Sequence, residues 1–343
     1  MVAAVASTLL SGFAQEKSPD SLLAGTTGPK NTVIATVPVG GGPFSLAASP
    51  DGSLIYVTSE ASHSISAIDV GTNQVAFTIP IRGEPFYPAI SPDGTTLYCT
   101  LISRNAILLI STATKQISQT FATGSSPQSV AVSPNGHLVY VPNYDGTITV
   151  IREGALRPPI NVGGNPVYVA FTPDGSYAYV ANQGFSGSGY WVNVIEVATR
   201  TPVLTISSGV PYPFGGMAVT PDRTNVYLCG INPSTSQPVA AVIDTATNTI
   251  TDTILVSKYL RGPGQPAITP DGRYLYVPIS IRGRFNKPGN HVVMVNLATN
   301  LRQGPAITVG NSPSAVAITP NGNYAYVSNY YDATVSVIDI SPK

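Results

Sequence analysis

A short turn signature, Ser/Thr-Pro-Asp/Asn-Gly or a close variant, recurs seven times along the chain, and a tyrosine follows each of its prolines by six residues. The prolines are Pro50, Pro92, Pro134, Pro173, Pro221, Pro270 and Pro320, and the tyrosines are Tyr56, Tyr98, Tyr140, Tyr179, Tyr227, Tyr276 and Tyr326. Successive prolines are separated by 42, 42, 39, 48, 49 and 50 residues. An internal period of this size with strand-like segments in every unit signals a radial array of small sheets. The recurrence constrains the architecture and leaves the ligand open.

One unit reads as four short strands. In the first, Phe44–Ser49 is apolar and is closed by Pro50-Asp51-Gly52. Proline pre-sets φ, Asp bonds its own backbone, and Gly accepts a positive φ, which together are hairpin chemistry. Leu54–Ser59 is apolar on both faces, as a strand sandwiched between stacked sheets must be. Ser64–Val70 is β-branched and runs into Gly71-Thr72-Asn73, after which Gln74–Ile81 completes the unit. Thr-Ala-Thr-Lys (112–115) and Thr-Ala-Thr-Asn (245–248) repeat that second turn, whereas Ile151-Arg152-Glu153-Gly154 shortens it in unit three, and Arg223 stands where glycine is usual in unit five.

The ends complement one another. The seventh unit lacks a fourth strand, and Asn31–Val39 reads as an outer strand with no unit of its own. Pairing the two closes the ring and removes two open edges. The expectation is an all-β, seven-bladed β-propeller of four-stranded antiparallel blades over residues 31–343, the last blade closed by the N-terminal strand. A capped solenoid is the competing arrangement.

Tyr140-Val141-Pro142-Asn143, Tyr179-Val180-Ala181-Asn182 and Tyr326-Val327-Ser328-Asn329, with Tyr56-Val57-Thr58-Ser59 close behind, join the Pro-Asp-Gly turns in a pattern that resembles the YVTN-repeat β-propeller family. That family includes bacterial YncE-like proteins and archaeal surface-layer propellers. The likeness covers residues 31 to 343. It implies the propeller fold and little about activity, because its residues are turn and packing residues. The signatures of WD40 blades and of quinone-cofactor blades are absent.

Charged residues make up only 10% of the 343 residues, and 17 basic side chains balance 17 acidic ones. Average domains carry about 25%. The electrostatic footprint of a nucleic-acid binder is missing. Cys99 and Cys229 fall in second strands of non-adjacent units, too far apart for a disulfide, and read as buried thiols. Residues 2–13 are small and mostly apolar, with Gly12 and Ala14 at −3 and −1 of a cleavage after Ala14, and 15–30 are linker-like. Residues 1–30 thus resemble a secretory signal without its basic start plus a linker, so the expected location is periplasmic or extracellular. No stretch is long enough to span a membrane. The chain is expected to act as a monomer.

In a propeller the fourth-to-first connections and second-to-third loops converge on the axial funnel, where candidates are sought. Aligned on proline, the connections place Phe44 and Ser45, Phe86 and Tyr87, Gln128 and Ser129, Val167 and Tyr168, Phe214 and Gly215, Gly264 and Gln265, and Ser314 and Ala315 around the ring. Arg82, Glu84 and Arg261 lie beside them. The loops add Glu60, His63, Arg104, Tyr144, Asp145, Tyr330, Tyr331 and Asp332. Two long loops, 182–191 and 279–291, carry Phe185, Tyr190 and Trp191, and Arg282, Arg284, Phe285, Lys287 and His291. Aromatics interleaved with arginines suit a carboxylated, phosphorylated or glycan ligand; the plain alternative is that the aromatics cap blade packing. The candidate ligand-binding set is Phe44, Arg82, Glu84, Phe86, Tyr87, Tyr168, Phe214, Arg261, Arg282 and Tyr330.

Enzyme signatures are sparse. No His/Cys/carboxylate cluster has metal spacing, no cofactor motif is present, and Gly40-Gly41-Gly42 precedes a strand rather than a helix, so it is no phosphate loop. The leading expectation is an exported, non-catalytic propeller binding a protein, a glycan or a small anionic or aromatic ligand. The alternative resembles lactonase-type seven-bladed propellers acting on a small carboxylated substrate, with Arg82, Glu84, His63, Arg261 and His291 to test and His or Glu as general base. A metal-dependent lyase is a third option.

Overall fold

The computed structural model describes residues 28–184, 189–258, 262–280 and 289–343. It contains seven antiparallel sheets in a ring, and the chain order of strands runs outward in each of the first six. Blade one is Pro43–Ala48, Leu54–Ser59, Ser64–Asp69 and Gln74–Pro80. Blade seven is Pro313–Ile318, Tyr324–Asn329 and Thr334–Asp339, with Thr32–Pro38 pairing antiparallel to Thr334–Asp339 as its outer strand. The ring is therefore closed by the N-terminal strand, and the solenoid alternative is overturned. Blade six departs from the pattern: its outer strand is split into Leu301–Arg302 and Ile307–Thr308.

Each of the seven seams between neighbouring blades holds an apolar cluster of its own. The second strands explain how. Tyr56 packs into the seam with blade two, whereas Ile55 and Val57 on the opposite face pack into the seam with blade seven. All three are at most 2% exposed. Period-2 alternation thus feeds two seams at once, and each fully buried aliphatic contributes about 1.5–3 kcal/mol.

The recurring turn has a second role that a single hairpin does not require. Gly52, Gly94, Gly136, Gly175, Gly272 and Gly322 hold φ between +71° and +76°. A Cβ on any of them would lie 3.4–3.6 Å from the Cδ of the turn proline in the preceding blade. The turns therefore touch one another around the ring. In blade five, Arg223 adopts the same left-handed backbone (φ 67°) and reaches Asp174 of blade four at 2.8 Å. Within each turn the Ser or Thr before proline donates to the Asp or Asn after it, as in Ser49 to Asp51 and Thr319 to Asn321.

The tyrosine of the repeat is a link between blades. Tyr326 donates its hydroxyl to Asn73 Oδ1 of blade one at 2.7 Å, Tyr179 to Asn248 at 2.7 Å and Tyr227 to Asn300 at 2.8 Å. Each acceptor is the left-handed asparagine that ends the third-to-fourth strand turn of the next blade. At blade seven that turn is interrupted by the chain ends, yet Asn31 takes its place, with φ 55° and the hydroxyl of Tyr276 at 2.7 Å. Asn31 therefore belongs to this turn and precedes the strand, which begins at Thr32.

Cys99 and Cys229 are free and buried. Desolvation pushes the Cys99 thiol up to about 12 and raises that of Cys229 as well. Among the described residues no helix is long and apolar enough to cross a membrane.

Candidate functional site

The fourth-to-first connections and second-to-third loops are bonded to each other on one face. Glu60 donates its backbone N–H to Gly42 O, Tyr144 to Ser125 O and Tyr330 to Ser312 O. Side chains extend from there to the axis because the inner strands begin with bulges. The ladder slips between Pro43 and Ser45, Pro85 and Pro88, Pro166 and Tyr168, Pro213 and Gly216, and Pro313 and Ala315. A bulge bends its strand and re-aims the extra residue, here Phe44, Phe86 and Tyr87, Val167, Phe214 and Gly215, and Ser314.

The aromatic members of that set meet. Phe44 stacks on Phe86 with centroids 3.9 Å apart and planes at 20°. Tyr87 stands edge-on to both rings, at 5.3 and 5.1 Å. Tyr87 of blade two also meets Tyr168 of blade four edge-to-face at 6.0 Å, their hydroxyls 3.1 Å apart. The Tyr168 hydroxyl lies 2.8 Å from Phe214 O of blade five, to which it donates. Beyond Phe214 the contacts continue to Tyr212 at 6.1 Å and from there to Tyr190 at 5.1 Å. Blades two and four are separated by a whole blade, so their side chains can meet only near the axis; so can Ser45 of blade one and Gln265 of blade six, joined at 2.7 Å.

Supports hold this floor in place. Thr58 donates to Phe86 O at 2.6 Å and Ser314 to Phe44 O at 2.7 Å, each from the preceding blade. The ring of Phe214 covers Gly262 so closely that a Cβ there would collide with it. At the rim, Tyr144 donates to Gln183 Oε1 at 2.7 Å, and Gln183 donates to Pro213 O. Burial raises the phenol pKa values of Tyr144 and Tyr212, so both remain neutral.

Five of the ten sequence candidates, Phe44, Phe86, Tyr87, Tyr168 and Phe214, come together. Arg82 and Glu84 are exposed beside them. Tyr330 stands over Gly42 on the blade-seven side, edge-on to Tyr331 at 5.3 Å. Arg261 and Arg282 lie outside the described residues, as do Phe185, Arg284, Phe285 and Lys287. His63 is exposed with Nδ1 2.9 Å from Gly83 O, and His291 opens the third strand of blade six. Among the described residues no three His, Cys, Asp or Glu side chains gather as metal ligands would.

Trp191 and Tyr190 are strand residues rather than loop residues, paired with Asn182 and Gln183. Trp191 donates to Asn193 Oδ1 at 3.1 Å. Sequence reasoning missed Tyr212 and Gln183; the usable signal for Tyr212 was Pro211-Tyr212-Pro213-Phe214, with two aromatics spaced about one connection.

No known family profile matches the chain. A curated seven-bladed β-propeller protein of Mycobacterium tuberculosis is 34% identical over 125 residues, which cover 34% of this chain and 28% of that protein's own length. Among solved structures, hydrazine synthase of Kuenenia stuttgartiensis superposes with a TM-score of 0.77 at 22% identity, covering 88% of this chain and 96% of that one. That likeness is one of fold. The seven-bladed β-propeller architecture is what this chain shares with known proteins.

Proposed function

We propose that the chain is an exported, non-catalytic β-propeller of the YVTN-repeat kind that binds a ring-bearing ligand on the aromatic floor of its axial face. The observation that carries this reading is the connected floor from Phe44 to Phe214, built on bulged strand starts of blades one, two, four and five. The fold does not need aromatics there: Gln128 and Ser129, Gly264 and Gln265, and Ser314 and Ala315 serve the same positions in blades three, six and seven. Half-buried aromatic rings gathered beside fixed polar groups are a common composition of a small-ligand site. Export rests on the apolar run at residues 2–13, and is tested by fusing residues 1–30 to a reporter active only outside the cytoplasm.

The test of binding is a thermal-shift screen with monosaccharides, aromatic carboxylates and lactones. The expected result is a compound that raises the melting temperature of the native chain and loses that effect in Phe86→Ala, whose own melting temperature stays near native. Lactone hydrolysis that disappears in Glu84→Ala or His63→Ala would move the chain to the lactonase-like reading instead.

A further inference from the structure

The floor is elongated. Its contacts run as a track from Phe44 and Phe86 through Tyr87 and Tyr168 at the axis, and on past Phe214 to Tyr212 and Tyr190, between the third strand of blade four and the inner strand of blade five. Except for Tyr87, which is 6% exposed, these rings are only half-buried. A single compact ring would occupy one end and leave the other unused. A chain of repeating rings would use the whole track.

The groups that bond along the track are uncharged phenols, amides, an indole N–H and backbone carbonyls, and the exposed charges of Arg82 and Glu84 lie beside its Phe86 end. Several of its donors are already committed inward. Tyr168 donates to Phe214 O, Tyr144 to Gln183 Oε1, Gln183 to Pro213 O and Trp191 to Asn193 Oδ1. A peptide lying here would need those donors for its carbonyls. A sugar brings its own hydroxyl donors, while its C–H faces lie on the rings.

From this we infer that the ligand is a neutral oligosaccharide lying along the track, with the Tyr190–Tyr212 end serving the sugar units farthest from the axis. The inference rests on the binding reading above and adds the ligand class and its direction. It is tested by calorimetric titration of the whole chain with defined cello-, chito- and malto-oligosaccharides of one to six units. In one series, affinity should rise about three- to ten-fold for each unit that reaches a further ring and then level off. Tyr190→Ala should flatten that rise for the longer members and leave the shortest binder unchanged. Tyr190→Phe, which keeps the ring, should behave as native. Length-independent affinity, or binding of a proline-rich peptide with the same dependence on Tyr190, overturns the oligosaccharide assignment, while the axial floor stands if Phe86→Ala still abolishes binding of a small ring. No binding of any oligosaccharide likewise overturns it, and loss of the Phe86→Ala effect overturns the reading beneath it.

Discussion

The two halves of the ring are joined differently. From blade four round through blade seven to blade one, all four seams carry a tyrosine hydroxyl bonded to the turn asparagine of the next blade. From blade one to blade four, the three seams carry none, because Lys115, the shortened Glu153-Gly154 turn and Arg200 stand where that asparagine would be. Lys115 instead sits over the ring of Phe77, 4.2 Å from its centroid. Tyr140 is buried beneath Arg200's position with its hydroxyl lacking any hydrogen-bond partner, and burial pushes its pKa up to about 12. All seven seams are apolar, so hydrophobic packing closes the ring and the phenol–amide bonds set how firmly each seam is registered. The half that holds the closure carries every such bond, which teaches that the break in the chain is guarded as strongly as any continuous turn.

The largest expected effect comes from removing that guard. Deleting residues 28–38 strips the outer strand of blade seven, unpacks Val37 and removes Asn31 from Tyr276. Unfolding in urea should show a loss above about 3 kcal/mol, since one fully buried valine and a strand edge are lost together. An unchanged midpoint would mean that the ring does not depend on its N-terminal strand.

Single links are worth less. Asn300→Ala should cost about 1–2 kcal/mol, because it leaves the Tyr227 hydroxyl unsatisfied in a mostly buried site. Tyr227→Phe should cost about 1 kcal/mol, and Lys115→Ala less than about 0.5 kcal/mol. Equal losses at Asn300 and Lys115, measured by denaturant titration, would erase the distinction between the halves.

The distinction can also be reversed. Arg200→Asn places an amide at a position that already has left-handed φ (57°), opposite the unpartnered Tyr140 hydroxyl. The expected gain is about 1 kcal/mol. Tyr140→Phe, which removes the buried orphan, should be neutral or mildly stabilising, and the gain from Arg200→Asn should vanish in that background.

Acid separates the bonds within the Pro-Asp turns from the phenol–amide links between blades, with a smaller effect. Hydrogen bonds from Ser49, Ser91, Thr172 and Thr220 hold the carboxyls of Asp51, Asp93, Asp174 and Asp222 below their usual range. These groups bind fewer protons in the folded than in the unfolded chain. Their contribution is therefore complete above about pH 4 and is lost as pH falls through the lowered values. Phenol–amide bonds do not change there. Asp51→Asn with Asp93→Asn, which copies Asn135 and Asn321 of blades three and seven, should flatten the acid side of a stability–pH curve and leave the neutral side within about 0.5 kcal/mol.

Much of this was legible in the chain. The seven Pro-Asp/Asn turns state the blade count because they are a local pattern repeated at a near-constant period, and the surplus segment at residues 31–39 states the closure. The tyrosine–asparagine bonds were not legible, because Tyr326 and Asn73 are 253 positions apart and each looks like an ordinary core or turn residue. The aromatics near the axis were legible as positions, by alignment on proline. Which of them touch was not, since the bulge spans Pro43 to Ser45 in blade one but Pro85 to Pro88 in blade two. Tyr212 escaped because it lies before the aligned pair, outside the repeat that made the other positions visible.

Asn31 in the turn position of blade seven implies that the ring has no privileged starting point. Gly28 O accepts from Lys343 N at 3.2 Å, and Lys30 Nζ lies 3.1 Å from Asp339. A short linker there would convert the break into one more third-to-fourth strand turn, and new ends could be cut at the equivalent Asp244–Asn248 turn to give a circular permutant. Both sites lie on the face opposite the aromatic track, so a fused domain or surface tether placed at either one leaves the track open to solution.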